Sequence, residues 1–258
     1  ASATILLDQA RPTGPAVVVN GGAAYTASTT VALAVSASDG PAAGGAASGL
    51  ASVEVANNGA FTGSTTYTMT DALTWSLTPG EGAKAVWVRF RDRAGNVSDP
   101  ASATVTLDQT GPAGAAIALA GNPEAQAGYT GTAVVTATLS ATDLNEGAGR
   151  ADLQVRVSND SGFSGASWQP YAATLPWVLP IGDGPKTVYA QFRDAAGNLS
   201  AVASADVTLD ATPPTGGAIA VAGGAAATNQ AGVTADLSAT GAAQMQLYVN
   251  GVATGGWT

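Results

Sequence analysis

From 29 to 38 the chain reads TTVALAVSAS, with Val31, Leu33 and Val35 at every second position and small or polar residues between them. A period of two places those three side chains on one face, so the segment predicts a strand with one side buried. Val135, Ala137 and Leu139 carry the same alternation one repeat later. Further along, Val86, Val88 and Phe90 point one way while Trp87, Arg89 and Arg91 point the other, and Val188, Ala190 and Phe192 restate the apolar set. These segments are expected to be central core strands. Shorter strands are expected at 16–20, 52–56, 67–70, 73–77 and 101–108, which makes about seven per repeat at the spacing of a β-sandwich. No long segment combines helical periodicity with caps, so the chain is expected to be nearly all β.

The pattern recurs in tandem. KAVWVRFRDRAGNVSDPASATVTLDQTGP at 84–112 returns as KTVYAQFRDAAGNLSAVASADVTLDATPP at 186–214, and ASATILLDQARP at 1–12 matches the end of the same unit. Leu7, Leu107 and Leu209 are therefore equivalent, and a period of about 100 residues means separate domains in series. The expected boundaries are 1–12 for the last strand and linker of a preceding repeat, 13–110 for a first domain, 111–212 for a second, and 213–258 for a partial third. That third repeat supplies strands at 218–222, 233–239 and 244–250 but lacks the last two. One reading is a window on a longer array. The other is strand addition, in which residues 1–8 of one molecule help to complete the third repeat of the next. The seam at 107–112 uses Gly and Pro to leave the sheet, and so short a linker is expected to hold successive sandwiches in a limited range of angles.

The FRDxAGNxS turn followed by TLDxTxP, at 90–112 and 192–214, resembles the bacterial immunoglobulin-like repeats of large secreted surface proteins and adhesins. The run Ser167-Trp168-Gln169-Pro170-Tyr171, with Trp177 and the turn Gly182-Asp183-Gly184, fits the same repeat, although the first copy lacks the SWxPY element. The resemblance implies tandem immunoglobulin-like or fibronectin III-like sandwiches of about seven antiparallel strands each. It also implies an extracellular role, on the cell surface or secreted, as stalk, fibre, surface-layer component or adhesin, and it implies no chemistry. A polysaccharide-binding or spacer module of a larger secreted enzyme is the alternative. Other copies or further repeats of the array, a cell-surface protein or a polysaccharide are the expected partners.

Composition narrows the choices. Only 10% of residues are charged, with 18 acidic against 9 basic and a net charge of −9, which argues against a nucleic-acid or anionic-membrane partner. No apolar run approaches the ~20 residues of a membrane-spanning helix, so no membrane insertion is expected within this segment. The chain has no cysteine and no histidine, which removes thiolate metal sites, the usual general base and the commonest zinc ligand together. No recurrent acidic pair suggests glycoside hydrolysis, so the protein is expected not to be an enzyme and to require no cofactor.

Calcium is the candidate exception. In a seven-stranded sandwich the incoming linker, the turn after the second long strand and the last hairpin lie at one end. Asp8, Asp39 and Asp92 occupy those places in the first repeat, and Asp108, Asp143 and Asp194, with Glu146 close by, occupy them in the second. Hard oxygen ligands at these positions would suit a calcium ion at each junction. The same carboxylates also read as turn caps, with Gly95 supplying the positive φ of the hairpin. In the third repeat Gly241 replaces the Asp39 equivalent. Trp75, Trp177 and Trp257 sit in or near apolar strands and are expected in the core. Trp87 and its counterpart Tyr189, together with Trp168 and Tyr171, are the candidates for a contact surface. Asn96, Asn159 and Asn198 begin Asn-x-Ser triplets, a short pattern that also arises by chance.

Overall fold

The computed structural model describes residues 5–41, 46–121, 125–143 and 152–254. Eight strands follow one another in the first repeat: β1 (Thr13–Val19), β2 (Tyr25–Thr26), β3 (Thr30–Ser38), β4 (Leu50–Ala56), β5 (Thr65–Thr68), β6 (Ala72–Ser76), β7 (Gly82–Asp92) and β8 (Ala101–Leu107). They form a three-stranded sheet, β1-β3-β6, and a five-stranded sheet, β2-β8-β7-β4-β5. Alternation decides which side chains meet between the sheets. Val31, Leu33 and Val35 from β3 and Val86, Val88 and Phe90 from β7 are buried in one cluster with Val53, Val55 and Val105. Trp75 joins that cluster, and its indole N–H donates to Asn57 Oδ1 at 2.8 Å, so the ring is buried with its one polar atom paired.

The second repeat follows the same plan with β9 (Ala113–Ala120), β10 (Tyr129–Thr130), β11 (Val134–Thr142), β12 (Gln154–Ser158), β13 (Gln169–Pro170), β14 (Thr174–Val178), β15 (Gly184–Arg193) and β16 (Ala203–Leu209). Its sheets are β14-β11-β9 and β10-β16-β15-β12-β13. Val135, Ala137 and Leu139 are buried, as are Val188, Ala190 and Phe192. The fold is thus all-β, in tandem immunoglobulin-like or fibronectin III-like sandwiches. By Cα packing the chain gathers into two compact units, one within 1–118, 137–175 and 188–205 and the other within 119–136, 176–187 and 206–258. Strands β9, β11, β14, β15 and β16 run through both.

Several details depart from the sequence reading. The two-residue strands β2 and β10 were not expected. Each pairs in parallel with the end of the last strand, Tyr25 with Thr106 and Tyr129 with Thr208, a contact too short to leave a periodic signal. No strand forms at 5–8. Ile5 and Leu7 are exposed there, and among the described residues no strand lies beside them to complete a ladder. Trp177 is half-buried rather than enclosed. Trp257 and Glu146 lie outside the described residues.

The third repeat contributes β17 (Thr215–Val221) paired with β18 (Ala235–Thr240), and the short hairpin β19 (Tyr248–Val249) with β20 (Val252–Ala253). The strand expected across 244–250 shrinks to that hairpin. Asn250 and Gly251 both take positive φ, 51° and 80°, the conformation a tight Asn-Gly hairpin turn requires. Among the described residues no longer strand pairs with 244–247.

Candidate metal centre

Each acidic cluster is assembled from three chain segments that regular structure brings to one place. Asp8 lies in the segment leading to β1, Asp39 follows the last residue of β3, and Asp92 ends β7. One carboxylate oxygen from each lies within 4.8 Å of the others. Asp108, Asp143 and Asp194, which follow β8, β11 and β15, form a second trio under the same limit. All six aspartates named from the sequence are therefore brought together in threes. In the third repeat Asp210 is exposed and Gly241 supplies no carboxylate.

The hairpin residue is the most constrained of the first trio. Asp92 is 1% exposed, and its backbone N–H donates to the Asn96 carbonyl at 3.1 Å. Asn96 answers with its backbone N–H to Asp92 Oδ1 at 2.9 Å and its side-chain amide to Asp92 Oδ2 at 2.8 Å. Gly95, at φ 100°, closes the turn where a β-carbon would be strained. The same amide of Asn96 donates to the Asp8 backbone carbonyl at 3.2 Å, which ties the incoming segment to the hairpin. Asp194 and Asn198 repeat the motif, with Asn198 Nδ2 donating to Asp194 Oδ2 at 2.8 Å and to the Asp108 carbonyl at 2.9 Å. Sequence reading took both asparagines as turn residues or glycosylation triplets. The signal for their second role was that Asn, not merely a turn former, stands at the same place in both copies.

The remaining carboxylates are held through the loop before β4. Asp8 Oδ2 accepts from the Ser48 backbone N–H at 2.8 Å and Oδ1 from the Ala10 N–H at 3.0 Å. The Ser48 hydroxyl and then its backbone amide hold the Asp8 carboxyl below its ordinary value, against the burial that would raise it. Asp39 Oδ2 accepts from the Gly49 N–H at 2.6 Å. Its other oxygen, Oδ1, is buried and meets no hydrogen-bond donor among the described residues. A buried carboxylate oxygen with no donor, on a residue grouped with two further carboxylates, is unfavourable unless a cation answers the cluster. The ion pairs seen elsewhere, Arg11 with Asp99 and Arg89 with Glu54, lie outside this trio.

That orphaned oxygen is the test of whether a metal fits. Three carboxylates converging on one point, all hard oxygen donors with no sulfur or imidazole among them, suit calcium in preference to zinc or copper. Turn capping accounts for one oxygen of Asp39 and both of Asp92. It does not account for Asp39 Oδ1 or for the convergence.

The aromatic candidates are placed differently. Trp87 is half-buried, and a β-carbon built on Gly59 would stand 3.3 Å from its ring, so the indole covers the turn after β4. Tyr189 is half-buried on β15 opposite Ser158. Tyr171 donates its hydroxyl to the Leu139 carbonyl at 3.0 Å and stands 6.1 Å from the Phe192 ring, which gives it a packing role. Trp168 is half-buried against two guanidinium groups.

No family model and no curated protein matches this chain. Among solved structures it is similar to the fibronectin(III)-like modules of CbhA from Clostridium thermocellum, with 13% identity, a TM-score of 0.46, and 75% of this chain and 94% of that one covered. It is also similar to the FN1-FN3 domains of chicken CNTN1, with 10% identity, a TM-score of 0.42, and coverage of 78% and 68%. A third similarity is to the chitinase ChiA74 from Bacillus thuringiensis, with 14% identity, a TM-score of 0.32, and coverage of 78% and 30%. All three similarities are weak, and the fold assignment rests on the sheet topology itself.

Proposed function

We propose that this chain is a section of a non-enzymatic, extracellular array of immunoglobulin-like sandwiches, serving as a stalk or adhesive element of a bacterial surface, whose incoming linkers are fixed by calcium. The observation that carries the reading is the convergence of linker, β3 exit and hairpin carboxylates in two successive repeats, with Asp39 Oδ1 buried and unanswered. Asp8, Asp39 and Asp92 would hold one ion, and Asp108, Asp143 and Asp194 another. The ion would supply charge neutralisation and a rigid link, not catalysis. Sites of this kind in extracellular modules bind calcium with dissociation constants on the order of 10⁻⁴–10⁻³ M, a range suited to an environment rich in the ion. The low share of charged residues in the chain, 10%, agrees with a structural element.

Thermal unfolding of the whole chain in calcium and in chelator tests the proposal. Binding at about 100 times the dissociation constant adds about 2.7 kcal/mol to the folded state. On a domain of about 100 residues, that raises the midpoint by several degrees or more. Identical midpoints in the two buffers would overturn it.

A further inference from the structure

We infer that the second repeat binds a carboxylated glycan through a pair of arginines on the outer face of β12 and β15, residues other than the aspartates of the trios. Arg156 lies over the Phe163 ring at 4.4 Å and over the Trp168 ring at 4.8 Å, and Arg193 lies over Trp168 at 4.6 Å. The rings hold both guanidinium groups in place and leave their Nη1 ends as the recognition element. The stack is built rather than incidental. Phe163 holds a φ of 57°, a region that bulky side chains rarely enter. Asp160 braces its turn, accepting from the Gly162 N–H at 3.2 Å and the Ser164 N–H at 3.0 Å.

The first repeat shows what such a guanidinium seeks. Arg89 lies over the Phe61 ring at 4.3 Å, and its Nε donates to Glu54 Oε2 at 2.6 Å, its partner directly across the sheet. There the chain provides its own carboxylate. In the second repeat the cross-strand pairs are Arg156 with Gln191 and Gln154 with Arg193, so each guanidinium meets a neutral amide. Arg156 Nε and Nη2 donate to Gln191 Oε1 at 3.2 and 2.6 Å, and Arg193 Nε and Nη2 donate to Gln154 Oε1. Nη1 of both arginines has no acceptor among the described residues, and no carboxylate pairs with either group there. An amide oxygen satisfies a hydrogen bond but leaves the charge unanswered. A planar, pre-aimed guanidinium of this kind is matched by a carboxylate.

The rest of the chain decides which carboxylate. A net charge of −9 opposes a dense polyanion such as a nucleic acid or a polyacidic peptide. A glycan whose carboxylates are spaced by neutral hydroxylated units is opposed far less. The exposed side chains of Ser167 and Gln169 beside Trp168 offer it hydroxyl and amide partners.

Hyaluronan oligosaccharide, with a carboxylate on alternate sugars, is the probe. Titration of the whole chain is followed by calorimetry and by Trp fluorescence at low and high salt, with a neutral cello-oligosaccharide and poly-glutamate as comparisons. Hyaluronan is expected to bind at low salt, and to bind tighter than either comparison. Arg156→Gln is expected to weaken it at least about tenfold, the weight of one charge-assisted hydrogen bond. Gln154→Glu keeps the shape and the fold while giving Arg193 an internal carboxylate, as Glu54 does for Arg89, and is expected to weaken binding to a similar degree. No hyaluronan binding, or binding unchanged in Gln154→Glu, would overturn the inference. Equal or tighter binding of poly-glutamate would overturn the glycan assignment.

Discussion

Replacing Asp39 by Asn removes one charge from the first trio while preserving the shape of the side chain. The three candidate ligand oxygens lie within 4.8 Å of one another. At that separation a pair of like charges repels by about 3.5 kcal/mol at an effective dielectric of about 20. Asp39 is only half-buried, so solvent screens much of this, and a net gain of about 1–3 kcal/mol is the reasonable expectation for the metal-free variant. The Asn carbonyl can still accept from the Gly49 N–H, and its amide puts a neutral donor in place of the unanswered Oδ1. With calcium the sign reverses, because a neutral ligand has replaced a charged one. Urea unfolding at neutral pH in chelator and in excess calcium reads both effects. The expected result is a crossing, with Asp39→Asn more stable than the wild type in chelator and less stable in calcium. A variant less stable by the same amount in both buffers would rule out repulsion among the carboxylates, since loss of a turn-capping hydrogen bond alone gives that outcome.

Two further predictions concern groups around the sites. Asn198→Ala loses the side-chain bonds to Asp194 Oδ2 and the Asp108 carbonyl while keeping the backbone bond to Asp194, and should cost about 2–4 kcal/mol in chemical denaturation; a loss under about 0.5 kcal/mol would mean the asparagine ties nothing together. The Arg89 hydrogen bond holds the Glu54 carboxyl below its ordinary value of 4.5, with burial opposing and the Ser64 hydroxyl assisting. A carboxyl lowered on folding adds stability above its unfolded value, and that stability is lost as pH falls through the folded value. Glu54→Gln should therefore be less stable than the wild type at pH 7, with the difference shrinking below about pH 4.5; a gap that stays constant with pH would contradict the assignment.

The fold was legible because burial on one face of a strand imposes alternation, and the alternations around Val31 to Val35 and Val86 to Phe90 mark strands that the sandwich encloses. Ends were less legible. Tyr25–Thr26 and Tyr129–Thr130 pair through two residues, too few for any period, and 5–8 has the pattern of a strand without a partner among the described residues. The grouping of the aspartates could be read because the linker and two strand exits meet at one end of a sandwich whatever the loops contain. The asparagine ties could not, since a side chain that bonds across 88 or 90 residues leaves no local trace. The arginine stack was also hidden. Trp168 read only as a candidate contact residue, and nothing local to it showed that Arg156 and Arg193 lie over its ring.

Each complete aspartate trio is proposed to hold one calcium ion. Isothermal titration of the metal-free chain with calcium measures it directly. Two ions per chain are expected, one for each trio and none for the repeat carrying Gly241, and an absence of saturable binding would rule the sites out.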